Sequence, residues 1–105
     1  MHELLQTIFL PGAKRYLEGL SRPERATIGR DVKALAAIDA EGVRTKQLRG
    51  QIRELIVGHH RITYFKWDSA LYFVRGFRKK TAKTPRQEID YAEEVYKRIA
   101  SGFIH

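Results

Sequence analysis

VRGFRKKTAKTP, Val74 to Pro85, joins a strand-like apolar run to a helix-like run through a basic cluster. Arg75, Arg78, Lys79, Lys80 and Lys83 place five cations in these twelve residues with no acid among them. Repulsion of that density is offset by solvent or by an anionic partner. Thr84 precedes Pro85 and stands three residues ahead of Gln87, a spacing that predicts a capping box at the start of the helix. The cluster is therefore expected to be held between two regular elements.

Upstream of it, a period of two runs through Ile52 to Val57, His60 to Trp67 and Leu71 to Arg78, all rich in β-branched and aromatic residues. Gly58-His59 and Asp68-Ser69 are short enough for tight hairpins, and Gly58 at the first central position suits a type II′ turn. Three antiparallel strands follow. Downstream, Pro85 to about Ser101 carries Ile89, Ala92, Tyr96 and Ile99 at helical spacing, with Val95 widening the stripe. Glu88, Asp90, Glu93 and Glu94 suit the positive end of that helix, and Lys97 and Arg98 suit the other.

The N-terminal half reads as a strand from Leu4 to Leu10, stopped by Pro11-Gly12, and then two helices. The first places Ala13, Tyr16, Leu17 and Leu20 on one side. Ser21-Arg22-Pro23-Glu24 forms another capping-box pattern, opening a helix whose face is Ile28, Val32, Leu35 and Ile38, which runs to about Ala40 and stops at Gly42. Val43 to Gly50 has no clear period and is read as a basic connection carrying Arg44, Lys46 and Arg49, with Leu48 tucked onto the core. The order β-α-α-β-β-β-α predicts an α+β fold, a mainly antiparallel sheet with an N-terminal helical hairpin and a C-terminal helix packed on it.

A chain of 105 residues is expected to form one domain, 1–105. Absence of cysteine excludes disulfides and thiolate metal sites. No apolar run approaches the ~20 residues that span a bilayer, so a cytoplasmic protein with no membrane partner is expected. The net charge of +8 is segregated: Arg44 to Gln87 holds twelve Lys/Arg against Glu54 and Asp68, and the rest holds eight against ten acids. Segregation of this kind suits a surface that attracts phosphates, or a solvated charged face. There is no Cys/His metal set, Walker-type loop, G-x-S-x-G elbow or H-E-x-x-H helix. His59 and His60 are adjacent and point to opposite faces of a strand, so neither a metal nor another cofactor is expected.

The run GFRKKTAKTPRQEIDYAEEVYKR, Gly76 to Arg98, resembles the C-terminal part of phage-related HigB-like toxins of the RelE/ParE toxin superfamily. LRGQIRELIVGHHRITYF, Leu48 to Phe65, is similar to that family's Leu-x-Gly…Glu-Leu…Arg-Ile/Val segment. Together they cover 41 of the 105 residues. The resemblance implies a RelE-like fold with the first strand beside the strand that closes the meander. It also implies a toxin of a bacterial type II toxin–antitoxin system that cuts messenger RNA in the ribosomal A site, without a metal, using arginine and lysine. The implied partners are the ribosome, its mRNA and a cognate antitoxin, a small helix-turn-helix repressor. Two alternatives stand beside it: a ParE-like DNA gyrase inhibitor, and a non-catalytic basic nucleic-acid-binding module.

Metal-free RNA cleavage needs a group to take the 2′-hydroxyl proton, cations for the phosphorane and an acid for the leaving 5′-oxygen. By resemblance Arg61 is the first candidate for a phosphate contact, or else a sheet arginine paired with Glu54. Lys79 and Lys80 match the family's lysine pair; alternation along a continuing strand would turn only one to the phosphate. Arg75 and Arg78 complete the catalytic candidates. Arg75 shares parity with Leu71 and Phe73, and Arg78 with Tyr72 and Val74, so one of the two is central. Arg49, Arg53, Lys83 and Arg86 are candidates for RNA backbone contacts, and Tyr64 either stacks on a base or packs in the core. Glu54 orients Arg61 across the hairpin or forms a structural ion pair. His60 is the one conventional acid/base group and, beside a turn, is read as exposed. The chain departs from the family at Ile56, where a basic residue is usual, and at Arg53, where an aromatic is usual.

Overall fold

In the computed structural model residues 4–102 are described, and the two ends of the expected domain lie outside the described residues. The elements in order are β1 (Gln6–Phe9), α1 (Pro11–Glu18), α2 (Arg22–Ala36), β2 (Arg44–Arg49), β3 (Ile52–Val57), β4 (His60–Trp67), β5 (Ala70–Arg78) and α3 (Arg86–Ala100). The five strands form one sheet in the order β1-β5-β4-β3-β2, antiparallel except where β1 runs parallel to β5. The parallel neighbour of β5 is the one the family resemblance implies, and α1 and α2 carry the chain from β1 at one edge of the sheet to β2 at the other.

Alternation along the strands builds a core on each face. Leu55, Val57, Ile62, Tyr64, Leu71 and Phe73 meet Ala13 of α1 and Ile28, Val32 and Ala36 of α2. On the other face Ile52, Phe65 and Val74 meet Ala92 and Ile99 of α3, with Val95, Tyr96 and Leu48 packed at the margin. The stripe expected on the last helix and the place expected for Leu48 are both found.

Both hairpin turns follow their residues. At Gly58 φ is 59° while His59 keeps an ordinary negative φ, as a type II′ turn requires. Asp68 and Ser69 both lie in the left-handed region, at 48° and 67°, which is the pattern of a type I′ turn.

Three expectations are corrected. Val43 to Gly50 is not a connection: Arg44–Arg49 is an edge strand paired with β3, irregular between Gln47 and Arg49. Its polar residues face solvent on one side and a cavity on the other, so no apolar alternation marks it. The second helix ends at Ala36, short of Ala40. Ile38 takes φ 56°, and the Asp39 and Ile38 N–H groups donate to Ala34 and Leu35 carbonyls at 3.0 and 3.2 Å, which is a Schellman stop with isoleucine where glycine is usual. Ile38 is consequently 59% exposed and leaves the core face. The capping box at Ser21 and Glu24 is present, whereas the one expected at Thr84 is not: Pro85 is the N-cap and no side chain caps α3.

Candidate functional site

Beyond the N-terminus of α3 the sheet is uncovered on the α3 side, and there β2, β3, β4 and the end of β5 form the floor of a cavity of about 200 Å³. The segment from Lys79 to Pro85 closes one wall. Cross-strand register places the floor: Lys46 lies opposite Glu54, Arg44 opposite Ile56, Ile56 opposite Arg61 and Arg61 opposite Phe77. All six of these residues line the cavity, and Lys79, Lys80 and Lys83 add three more cations from the wall. Six cations therefore surround a single carboxylate, that of Glu54.

Among the described residues none of these six cations has a carboxylate within 4 Å. The ion pairs of the molecule lie elsewhere. A cavity that concentrates unpaired positive charge over a partly enclosed floor focuses a field that attracts polyanions.

Glu54 is 2% exposed, and the Thr84 hydroxyl donates to its carboxylate from 2.9 Å to each oxygen. The contact turns the Thr84 hydroxyl towards the buried carboxylate instead of the start of α3, and losing that donor would leave a charged group unsatisfied. Glu54 does not pair with Arg61. The Arg61 Nη1 donates instead to the carbonyls of Gly58 at 2.8 Å and His60 at 2.9 Å, so its own turn holds the guanidinium.

Lys79 and Lys80 both reach the cavity, contrary to the alternation expected of them, because β5 ends at Arg78 and the chain turns there. The Lys79 N–H still reaches the His59 carbonyl at 2.8 Å, tying the wall to the hairpin turn. Arg75 and Arg78 are both outside the cavity lining. A register shift at Val74 puts Arg75 opposite Thr63 while Phe73 stays opposite Tyr64, so the alternation read through this stretch reverses. Arg75 thereby faces α3, where its Nε donates to Glu88 at 2.8 Å and its guanidinium stacks 4.0 Å over the Tyr91 ring. Arg78 turns to the opposite face and lies 3.4 Å from Glu24.

Of the residues considered for RNA contact, Lys83 lines the cavity and the others do not. Arg49 binds Asp90 at 2.7 Å and Glu93 at 3.4 Å, and the Asp90 hydrogen bond raises its already high pKa further. Arg53 donates to Thr45 at 3.1 Å, and Arg86 lies 3.8 Å from Asp90. Tyr64 is 4% exposed and packs against Phe73, so its place is the core. Arg44 and Lys46 were missed as site residues; reading their segment as a strand would have put both on the face of Glu54 and Arg61. Arg44, as the cross-strand partner of Ile56, supplies a cation next to the position where the family resemblance led one to expect it.

His60 is buried rather than exposed, because it faces α1 and α2 from the first position of β4. Its Nδ1 is 2.6 Å from the Tyr16 hydroxyl and its Nε2 is 2.8 Å from the Glu24 carboxylate. Burial pushes the Tyr16 phenol pKa up, and the Ser21 hydrogen bonds, with His60 adding to them, hold the Glu24 carboxyl below its usual value.

No curated protein sequence matches the chain at a significant level. Among solved structures, a chain of the toxin–antitoxin complex RelBE2 from Mycobacterium tuberculosis superposes with a TM-score of 0.60 at 17% identity, covering 75% of this chain and 98% of that one. This likeness shows the fold to be RelE-like. The family model described as "Phage derived protein Gp49-like" matches residues 15–97, a span that takes in the whole of the cavity and most of the fold. The resemblance read from Gly76 to Arg98 is thus borne out at the level of family and fold: the chain belongs to the phage-derived Gp49-like family and carries a RelE-like fold.

Proposed function

We propose that the chain is the toxin of a bacterial type II toxin–antitoxin pair, of the HigB-like branch, and that it cleaves messenger RNA positioned on the ribosome. The observation that carries this reading is the cavity with six cations and, among the described residues, no ion pair to neutralise them. The family match and the RelE-like fold support the toxin role. The solved relative is a toxin–antitoxin complex, which supports a cognate antitoxin here.

Cleavage proceeds by attack of a 2′-oxygen on the adjacent phosphorus with departure of the 5′-oxygen. Glu54 is the one carboxylate of the lining and the group suited to accept the 2′-hydroxyl proton, with Thr84 fixing its orientation. Arg61, whose Nε and Nη2 have no partner among the described residues, is suited to the equatorial phosphoryl oxygens. Lys79 or Lys80 returns a proton to the leaving 5′-oxygen, and Arg44, Lys46 and Lys83 hold the flanking phosphates. The ribosome supplies the in-line geometry, which accounts for so sparse a set of groups. An antitoxin segment with acidic side chains would silence the site by filling it. On this reading the protein acts in the cytoplasm, beside its translating target.

Primer extension on a defined mRNA in a purified translation system tests the reading. New 5′ ends at A-site codons that require ribosomes and vanish with Arg61→Ala are expected. Intact message with normal translation would overturn it, and inhibition of gyrase supercoiling would then identify the ParE-like alternative.

A further inference from the structure

The Tyr16, His60 and Glu24 cluster lies on the face of the sheet away from the cavity, and no step of the cleavage uses it. Its geometry is nonetheless tied to the cavity through one residue. The His60 side chain is gripped from α1 by the Tyr16 hydroxyl at 2.6 Å and from the start of α2 by Glu24 at 2.8 Å. The Glu24 carboxylate is itself fixed, since its Oε1 accepts from the Ser21 hydroxyl at 2.8 Å and from the Ser21 N–H at 3.2 Å. Arg78 approaches the same carboxylate at 3.4 Å. Tyr16 is held over Gly76, where a Cβ would come within 2.6 Å of the tyrosine Cγ. The histidine is thus clamped by groups that are each locked in turn.

The backbone of the same residue serves the other face. The His60 carbonyl accepts from the Arg61 Nη1 at 2.9 Å, the Gly58 carbonyl accepts from that nitrogen at 2.8 Å, and the His59 carbonyl accepts from the Lys79 N–H at 2.8 Å. A corner of three residues therefore sets the direction of the arginine and the position of the lysine wall. Gly58 has a left-handed φ, and the corner it forms is held by the pairing of His60 with Val57 and Arg78 as well as by the clamp on the His60 side chain. The Glu24 carboxylate can only accept, so it takes its hydrogen bond from Nε2–H, and the Tyr16 hydroxyl, able to donate or accept, completes the pair at Nδ1.

We propose that His60 is a positioning residue, which with Tyr16 and Glu24 on the back of the sheet fixes the Gly58–His60 corner so that its two carbonyls hold the Arg61 guanidinium in the cavity. The proposal rests on reading the cavity as the cleavage site for its consequence, while the clamp itself can be observed without any activity.

Tyr16→Phe removes only the hydroxyl and keeps the ring over Gly76; His60→Gln keeps hydrogen-bonding capacity on a side chain of similar reach. Single-turnover cleavage on programmed ribosomes should fall about tenfold with Tyr16→Phe, with the half-saturating protein concentration unchanged, because misplacement affects the step and not the encounter. His60→Gln should recover most of the rate that His60→Phe loses. In an Arg61→Ala background Tyr16→Phe should cost nothing further, since the group it positions is gone. The Arg61 Nη–H signals in proton–nitrogen NMR of the full chain, set apart while two carbonyls hold Nη1, should move towards those of a free arginine in Tyr16→Phe, and they can be read even if no RNA is cut. An equal rate loss in the two backgrounds, or an Arg61 signal that stays in place in Tyr16→Phe and His60→Phe, would overturn the proposal. A wild-type protein that cuts no RNA would overturn the cleavage reading alone and leave the NMR result to decide the clamp.

Discussion

Gly76→Ala is the substitution with the most calculable effect. Gly76 lies within β5 without a positive φ, so alanine is permitted by the backbone and the cost comes from packing alone. The added methyl would stand 2.6 Å from the Tyr16 Cγ and 3.0 Å from its Cβ, well inside the 3.5–4.0 Å at which carbon atoms rest. These are the stem atoms of the tyrosine, so rotating the ring cannot relieve the clash and α1 must lift. Overpacking of this kind costs about 1–3 kcal/mol, and the lifted hydroxyl loses its bond to His60, worth about 1 kcal/mol. A total near 3 kcal/mol lowers the melting temperature by about 12 °C in a domain of this size. Circular dichroism melts of Gly76→Ala, Tyr16→Ala and the double variant measure it. With the ring removed, Gly76→Ala should cost under about 1 kcal/mol. The same loss with and without Tyr16 would refute the argument, because the cost would then not arise from this contact.

Further outcomes follow from other sites. Ile38→Gly should stabilise by about 1 kcal/mol in urea unfolding, since isoleucine pays for a left-handed φ of 56° while 59% exposed. Thr84→Val removes the hydroxyl that satisfies Glu54 and should cost about 1–3 kcal/mol, whereas Thr84→Ser should cost little. The Glu24 carboxyl is depressed below 4.5 in the folded protein, chiefly by Ser21, so its contribution to stability is complete above that pH and is lost as pH falls through the folded value. Melting temperatures of Glu24→Gln should therefore show a shallower acid dependence than those of the wild type. Binding of a single-stranded RNA oligonucleotide should lose about 0.7 from its log–log salt slope for each of Lys79 and Lys80 changed to glutamine. Arg49→Gln should leave the slope unchanged, because Asp90 and Glu93 already hold that arginine.

The strands with one apolar face and one mixed face were legible as sequence, and so was the C-terminal helix with its stripe from Ile89 to Ile99. What escaped were positions where a tertiary partner overrides a local rule. Arg44 to Arg49 pairs at the sheet edge with a cavity on one side and solvent on the other, so it carries no hydrophobic period to read. Thr84 has the spacing of a cap, yet its hydroxyl is turned to donate to the buried Glu54 thirty residues upstream. The faces of Arg75 and Arg78 were exchanged by one extra residue at Val74, a register shift that composition does not announce. His60 resembles an exposed turn residue until α1 and α2 are folded over it. Residue types at the site were therefore readable, and their assembly into one cavity was not, because it depends on β2, on the bulge and on where β5 stops.

The claim that cleavage belongs to the cavity and not to the basic surface at large is tested by one comparison. Single-turnover mRNA cleavage on programmed ribosomes would be measured for Arg61→Ala, Lys79→Ala and Arg44→Ala, which line the cavity, beside Arg49→Ala and Arg86→Ala, which do not. Each variant removes one positive charge, so the change in net charge is the same. The cavity reading predicts losses of about tenfold or more in the first group, in line with removal of a positioned phosphate or transition-state contact, and rates within about twofold of wild type in the second. Equal losses in both groups would contradict it and return the protein to a basic surface with no defined catalytic centre.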